Sequence, residues 1–401
     1  MTQAERALPS TQSSYDGARA LLAGETLLVV TPSRAGEKET GVIKAARTLE
    51  ASGRVAAAHV LRSSDLSRAA SPSESIVQRA FDVGATLIVF WVWHASRIQL
   101  EPDVLKKLAR LPTLPTVGVT VGDAFMSGYL GRPEIPRHFR STLRAADLVG
   151  ATSMGRLADH LAGEANAPVM LLPSAVCDAQ FGPDVPVTPA AIDADVVFIG
   201  AASHSKNPGR RYYWLGRQRQ AAVRALQARF GSRLAVFGPG WQGLPSWRGE
   251  VDRAEQVRVA AAGQVVFSGV PFSFEPFYAS DRSFIQATSG VPLVETVVPG
   301  LDQLLPSSTS WTTGTPRDVV RSVERVLEED PVRRRERGLE ARDVIFARHL
   351  TTHRLETFTR NLAMLRAGAG IPRGTLPFMP FFGDDAVVER QLQLVTRRWP
   401  W

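Results

Sequence analysis

Residues 281–305 read DRSFIQATSGVPLVETVVPGLDQLL, and the order of side chains in that stretch decides the fold. Ser280 and Asp281 are helix N-cap types, placed at the head of a short helical run. Gly290 stops that run, residues 292–295 (PLVE) form an apolar strand, and Pro299-Gly300 makes a second turn. A parallel α/β sheet uses this order to build a crevice at the C-terminal edge of its strands, with the helix's free N–H groups and positive dipole end turned toward it. Arg282 stands in the first turn, where a cation opposes the dipole. An anionic group in the crevice reconciles the two.

Working outward, the same rhythm runs through the chain. Short β-branched runs at 26–31 (TLLVVT), 54–60, 86–93 (TLIVFWVW), 116–121, 147–150 and 169–172 alternate with helix-length segments. A second set follows at 195–200 (DVVFIG), 234–238 (LAVFG), 264–267, 292–295 and 310–312, then helices at 316–327 and 332–349. Apolar runs separated by crossover helices predict two parallel sheets.

The stretch 181–193 (FGPDVPVTPAAID) carries three prolines and no period, and reads as a linker. We therefore expect an N-terminal segment over 1–25, a Rossmann-like domain over 26–182, a linker over 183–194 and a second Rossmann-like domain over 195–366. A return segment then fills 367–401, its helix at 385–398 packing back on the first domain, because a lone helix does not fold alone.

A length of 401 residues suffices for two such domains. The single cysteine, Cys177, excludes an internal disulfide framework and a multi-cysteine metal site, and points to the cytoplasm. Residues 1–20 lack a signal-peptide core, and no apolar run approaches the roughly 20 residues of a membrane span. The formal charge is +8, with lysine supplying only five of the 47 basic residues. An arginine excess suits forked recognition of phosphate, and an arginine-rich coding bias produces the same composition. There is no P-loop lysine motif and no GxSxG turn, which removes the common NTPase and hydrolase readings.

An ordered set of motifs carries a family resemblance: FIG at 198–200 with basic Arg217 and Arg219 after it, FGPGW at 237–241, RSFIQATSG at 282–290, PGLDQLL at 299–305 and ARHLTTHRLETF at 347–358. AADLVGATS at 145–153 and LLPSAVCDAQF at 171–181 extend it into the first half. Over roughly residues 140–360 the chain resembles GT-B glycosyltransferases of the CgeB-like group, whose C-terminal domain is of the glycosyl-transferase group 1 type. The resemblance implies two Rossmann-like domains facing a cleft, and transfer of a sugar from a nucleotide-diphosphate donor to an acceptor hydroxyl. It implies no cofactor and no resident metal. Many retaining members of the wider clan carry two glutamates at the positions of Phe277 and Ile285; here neither side chain can accept a hydrogen bond. Glu275, two residues early, is the nearest carboxylate. A degenerate scaffold that binds nucleotide without turnover, and a nucleotide-sugar epimerase, are the rival readings.

Candidate donor-binding residues follow. The loop 201–211 (AASHSKNPGRR) is polar and basic at a strand's C-terminal end, which places Lys206, Arg210 and Arg211 to pair with a diphosphate or simply to face solvent. Arg217 or Arg219 reaches phosphate at the family's basic helix start. Gly240 permits close backbone approach, and Trp241 either offers a plane to a nucleobase or caps the core. Ser280, Arg282 and Gly290 complete the donor set with Glu275. On the acceptor side, Asp123 after the strand at 116–121 and His94 after the strand at 86–93 are the candidate bases, each with a plain role as a turn or strand-end residue beside the catalytic one. His349 and His353 stand four apart with no third ligand nearby, and are not read as a metal site. The acceptor is a glycan, metabolite or protein; an anionic acceptor fits the charge, and nucleic acid is less favoured because no arginine-aromatic stripe marks the first half.

Overall fold

The computed structural model describes residues 20–32, 40–66, 71–91, 107–108, 111, 113–122, 134–165, 167–202, 206–270, 272–305 and 307–368. In chain order, the first lobe runs β1 (Thr26–Thr31), α1 (Gly41–Ala51), β2 (Ala57–Arg62), α2 (Pro72–Asp82), β3 (Leu87–Trp91), β4 (Thr116–Val121), α3 (Arg137–Arg144), β5 (Leu148–Ala151), α4 (Arg156–Ala165) and β6 (Val169–Leu171). The second runs β7 (Val196–Ile199), α5 (Arg211–Phe230), β8 (Leu234–Phe237), β9 (Val265–Phe267), α6 (Asp281–Ala287), β10 (Leu293–Thr296), β11 (Ser310–Thr312), α7 (Pro316–Leu327) and α8 (Pro331–Arg348). A last helix, α9, spans Thr351–Arg366.

Two parallel sheets result, of order β2-β1-β3-β4-β5-β6 and β11-β10-β9-β7-β8. The apolar runs become central strands because helices cover both faces: β3, β4, β7 and β8 are buried along their whole length. In each sheet the chain reverses its direction of progress beside the first strand, so the switch point falls at the C-terminal ends of β1 and β3 in one lobe and of β7 and β9 in the other.

The return to the first lobe corrects the sequence reading. The helix that crosses back is α9, which lies within the span 195–366 that the sequence assigns to the second domain; the expected helix at 385–398 lies outside the described residues. Leu355, Phe358, Leu362 and Ala363 of α9 join the cluster formed by β1, β3 and α1. Two strand glycines make room for it. A Cβ at Gly118 of β4 would stand 2.6 Å from the Phe358 ring, and one at Gly150 of β5 would stand 3.1 Å from it, so both positions exclude larger side chains.

Both crossings between lobes run side by side. Val176 and Leu350 form a parallel bridge, with the Val176 N–H donating to the His349 carbonyl (2.8 Å) and the Thr351 N–H to the Val176 carbonyl (2.9 Å). Asp178 caps α9 by accepting from the backbone N–H groups of Thr351 (2.7 Å) and Thr352 (3.2 Å) and from the Thr352 hydroxyl. Buried Arg354 ties the two crossings together. Its guanidinium donates to the carbonyls of Pro173 (2.9 Å) and Ser174 (3.3 Å) on one and Arg348 (2.9 Å) on the other, and pairs with His349 Nδ1 at 2.6 Å. The His349 ring stacks on Phe284 of α6, with centroids 4.8 Å apart. The hinge thus touches the helix that the sequence marked first.

Candidate functional site

The ends of β7, β8 and β9 and the start of α6 converge on one edge of the second sheet. Residues 238–241 fold back onto the end of β7: the Ala202 N–H donates to the Pro239 carbonyl (2.9 Å) and the Trp241 indole N–H to the Gly200 carbonyl (2.7 Å). Only glycine fits there. Gly238 has φ +121 with a Cβ position 2.5 Å from the Gly200 carbonyl oxygen, and Gly240 has φ +87 with its Cβ position 3.0 Å from Ala202. Trp241 is buried and meets Phe198 edge to face, with centroids 5.7 Å apart. Of its two sequence roles it takes the packing one, and the edge is floored by backbone, not by an indole plane.

The two arginines of the basic helix start separate. Arg219 turns inward and is buried, donating to the Ala201 carbonyl (2.9 Å) and the Gly269 carbonyl (3.4 Å), so its charge holds the ends of β7 and β9 together. Arg217, half a turn away, is exposed. Lys206 is also exposed, and Arg210 reaches across to the first lobe, pairing with Glu134 at 2.7 Å. The Arg211 side chain lies outside the described residues.

Ser280 caps α6 as expected, its hydroxyl accepting from the Arg282 N–H at 3.4 Å. The Arg282 guanidinium then reaches over Gly200: a Cβ there would fall 2.3 Å from its Nη1. Its Nε is buried with no hydrogen-bond partner among the described residues, as are Gln286 Oε1 on the next turn and Thr152 Oγ1 and Ser153 Oγ after β5. Each such atom costs about 1–3 kcal/mol in an empty protein and nothing once a ligand satisfies it.

The lobes meet here. The Met154 N–H donates to the Pro276 carbonyl at 3.0 Å, and a Cβ at Gly155 would stand 2.9 Å from Glu275 Oε2. Glu275 is therefore buried at the junction of the lobes. Phe277, in the clan's glutamate position, has φ +61, a conformation costly for a bulky residue. It is held by its N–H donating to the Pro299 carbonyl (2.7 Å) and by a ring packed under Gly300. Ile285 is buried.

Gly290 does not join the site. It follows the C-terminal end of α6 with φ +74 and packs on α8, where a Cβ at Gly338 would stand 2.1 Å from the Gly290 carbonyl oxygen. With Gly263, Gln264 and Pro292 it lines a cavity at the opposite edge, where β9 and β10 begin. Its service is to end the helix. Asp123 and His94 lie outside the described residues; β4 ends at Val121 and β3 at Trp91.

One residue escaped the sequence reading. Glu295, at the end of β10, is fully buried, and its Oε1 accepts from the backbone N–H groups of Val270 (2.9 Å) and Thr296 (2.7 Å). Its Oε2 accepts from the Ser283 hydroxyl at 2.6 Å, and Ser283 lies 3.1 Å from the Ser268 hydroxyl. The signal was available: a lone carboxylate ends an otherwise apolar strand run, VPLVETVV. Glu295 fixes α6 against the end of β9 and so orients Arg282. Burial holds its carboxyl above the usual 4.5, with Ser283 and the two amides opposing. In the pH range just above 4.5 the unfolded chain has therefore lost a proton that the folded chain keeps, and stability falls as pH rises. Glu295→Gln keeps the acceptor for both amides and removes the titration. The difference in unfolding free energy between wild type and Glu295→Gln should thus shift in favour of the variant as pH is raised from 4.5; a difference independent of pH would contradict this.

Two parallel open sheets joined by a double crossing, with a glycine-floored edge facing the junction, define a protein of the GT-B class. Three solved structures share that fold. Sucrose-phosphate synthase from Thermosynechococcus elongatus is 14% identical, with 86% of this chain and 98% of that one aligned at a TM-score of 0.52. A trehalose-6-phosphate protein from E. coli, solved with UDP-2-fluoro glucose, is 12% identical over 84% and 99% of the two chains, TM-score 0.52. The N-terminal domain of Candida albicans trehalose-6-phosphate phosphatase is 9% identical over 87% and 97%, TM-score 0.55. No curated protein sequence matches the chain. Residues 217–360 match the glycosyl transferase-like family model, and they lie within a chain of the GT-B fold.

Proposed function

We propose that the protein, of the hexosyltransferase kind and akin to the CgeB-like group, moves a sugar from a nucleotide-diphosphate donor to an acceptor hydroxyl. The diphosphate would lie on the C-terminal edge of the second sheet, between Arg282 and the turn at 238–241. The observation that carries this is Arg282: a guanidinium laid over Gly200 at the end of β7, with a buried Nε that no described residue satisfies. Fork-shaped donors match phosphate oxygens, and in a water-poor cleft they stabilise the charge that grows on the leaving diphosphate. The N–H groups at the start of α6 add to the same field. With guanidinium charge in that role, transfer needs no metal, and EDTA should leave the rate unchanged.

The first lobe would hold the acceptor. Asp123, two residues past β4, is the proposed base for the acceptor hydroxyl, with His94 past β3 as the second candidate. Phe277 and Ile285 leave no side-chain acceptor for the donor ribose in the clan's usual places, and Glu295, engaged on both oxygens, does not replace them. No helix among the described residues is long and apolar enough to cross a membrane, and the lone cysteine fits the cytoplasm.

The test is nucleotide release from a panel of nucleotide sugars by the purified protein. We expect release with at least one donor, and Asp123→Asn should lower transfer by roughly 100-fold or more while nucleotide binding persists. No release and no nucleotide binding with any donor would overturn the proposal.

A further inference from the structure

Trp214 is exposed at 58% of its surface, one turn into α5 from the residue that bridges the lobes. Its ring is not loose. The indole N–H donates to the Pro208 carbonyl at 2.8 Å, and Tyr213 stands edge-on to it at 89° with centroids 5.2 Å apart. A planar side chain already fixed in one orientation loses little entropy when something lies on it. Its surroundings carry positive charge. Arg217, three residues on and on the same helix face, is exposed, as is Lys206 in the loop before the helix; Arg210 reaches from the N-cap to Glu134 of the first lobe.

Building on the glycosyltransferase reading, we propose that Trp214, on the second lobe's side of the cleft, is the platform for the outer sugars of an acceptor whose reacting end sits on the first lobe, and that the acceptor is an acidic glycan. A sugar ring lies with its C–H face on the indole, and its anionic group meets Arg217 and Lys206. The indole gives an apolar plane with a polar edge already satisfied, which fits the C–H face of a pyranose; guanidinium and ammonium groups supply the counter-charge. A single ring marks a sugar and not a nucleic acid strand, since strand binders stack successive bases on several aromatic side chains, and Trp214 is the one exposed aromatic on this lobe among the described residues. The Arg210 to Glu134 pair places the platform at the mouth of the interlobe cleft, where an acceptor must pass.

The probes are tetragalacturonate, a neutral tetrasaccharide of the same linkage, and an eight-residue oligothymidylate, titrated into the full chain at low and high salt. We expect tetragalacturonate to bind most tightly and to weaken as salt rises. Trp214→Ala should weaken it roughly 10-fold and Trp214→Phe should recover most of that loss, while UDP affinity and the thermal midpoint stay at wild-type values. Equal binding of the neutral sugar, tighter binding of the oligothymidylate, no binding of any probe, or wild-type affinity in Trp214→Ala would each overturn the proposal. Absence of nucleotide binding by the wild type across the whole donor panel would instead strike the donor reading on which it rests.

Discussion

Replacing Arg282 by alanine should lower kcat/KM for the nucleotide sugar by roughly 100-fold or more, the loss expected when one preorganised donor to a developing oxyanion is removed. The chain should remain folded, because Arg282 is half-buried at a helix start and the α6 cap belongs to Ser280. Lysine should recover only part of the rate, since a point charge does not reproduce two parallel N–H donors. Gly200→Ala offers an independent check. Its Cβ would fall 2.3 Å from Nη1, so the guanidinium must swing away, and the variant should resemble Arg282→Ala in kinetics with Arg282 still present. Steady-state kinetics with both variants decides it. Unchanged kcat/KM in Arg282→Ala would mean that the guanidinium faces no phosphate.

The largest effect on stability belongs to Arg354. Arg354→Met leaves the carbonyls of Pro173, Ser174 and Arg348 and the Nδ1 of His349 without their donor, and breaking a buried charged network of this kind costs about 3–5 kcal/mol. Arg354→Lys should not rescue it, because three donors on one nitrogen cannot span acceptors on two chain crossings. Burial and the Arg354 charge keep His349 neutral, well below the usual 6.5, against a weaker pull from the Leu304 carbonyl; burial above all brings His353 to about 4. The unfolded chain takes up these protons first as pH drops, so this stability is present above 6.5 and is lost as pH falls toward 4. Denaturant titrations of wild type and Arg354→Met at pH 7.5 and 5 measure both effects. A loss below about 1 kcal/mol, the size of one ordinary hydrogen bond, would show that the hinge does not depend on this side chain.

Much of the fold was legible because the chain follows the simplest period. Buried parallel strands are near-continuous apolar and β-branched runs, and those at 26–31 and 116–121 coincide with the observed strands residue for residue, as does the less buried edge strand at 310–312. The returning helix was not legible for the opposite reason. α9 is buried on nearly every side, yet its inward positions include Arg354, Thr357, Thr359, Arg360 and Asn361, so no apolar stripe marks it. The site was half legible. Ser280 as a helix cap and the glycines of residues 238–241 as a tight turn follow from residue type and order. What sequence could not separate was direction: Arg219 faces in and Arg217 out because of helix phase, and Gly290 falls at the far edge because α6 is only seven residues long. Glu295 is not legible because a buried carboxylate is identified by the donors aimed at it, and two of these, the Val270 N–H and the Ser283 hydroxyl, come from outside its own strand.

The most direct measurement is a crystal structure of the protein with a nucleoside diphosphate. The diphosphate should lie within hydrogen-bond distance of the Arg282 guanidinium, over Gly200 and the turn at 238–241. Nucleotide bound at the opposite edge of the sheet, in the cavity lined by Gly290, Gln264 and Arg335, with the Arg282 side chain unmoved, would contradict the assignment of the donor site.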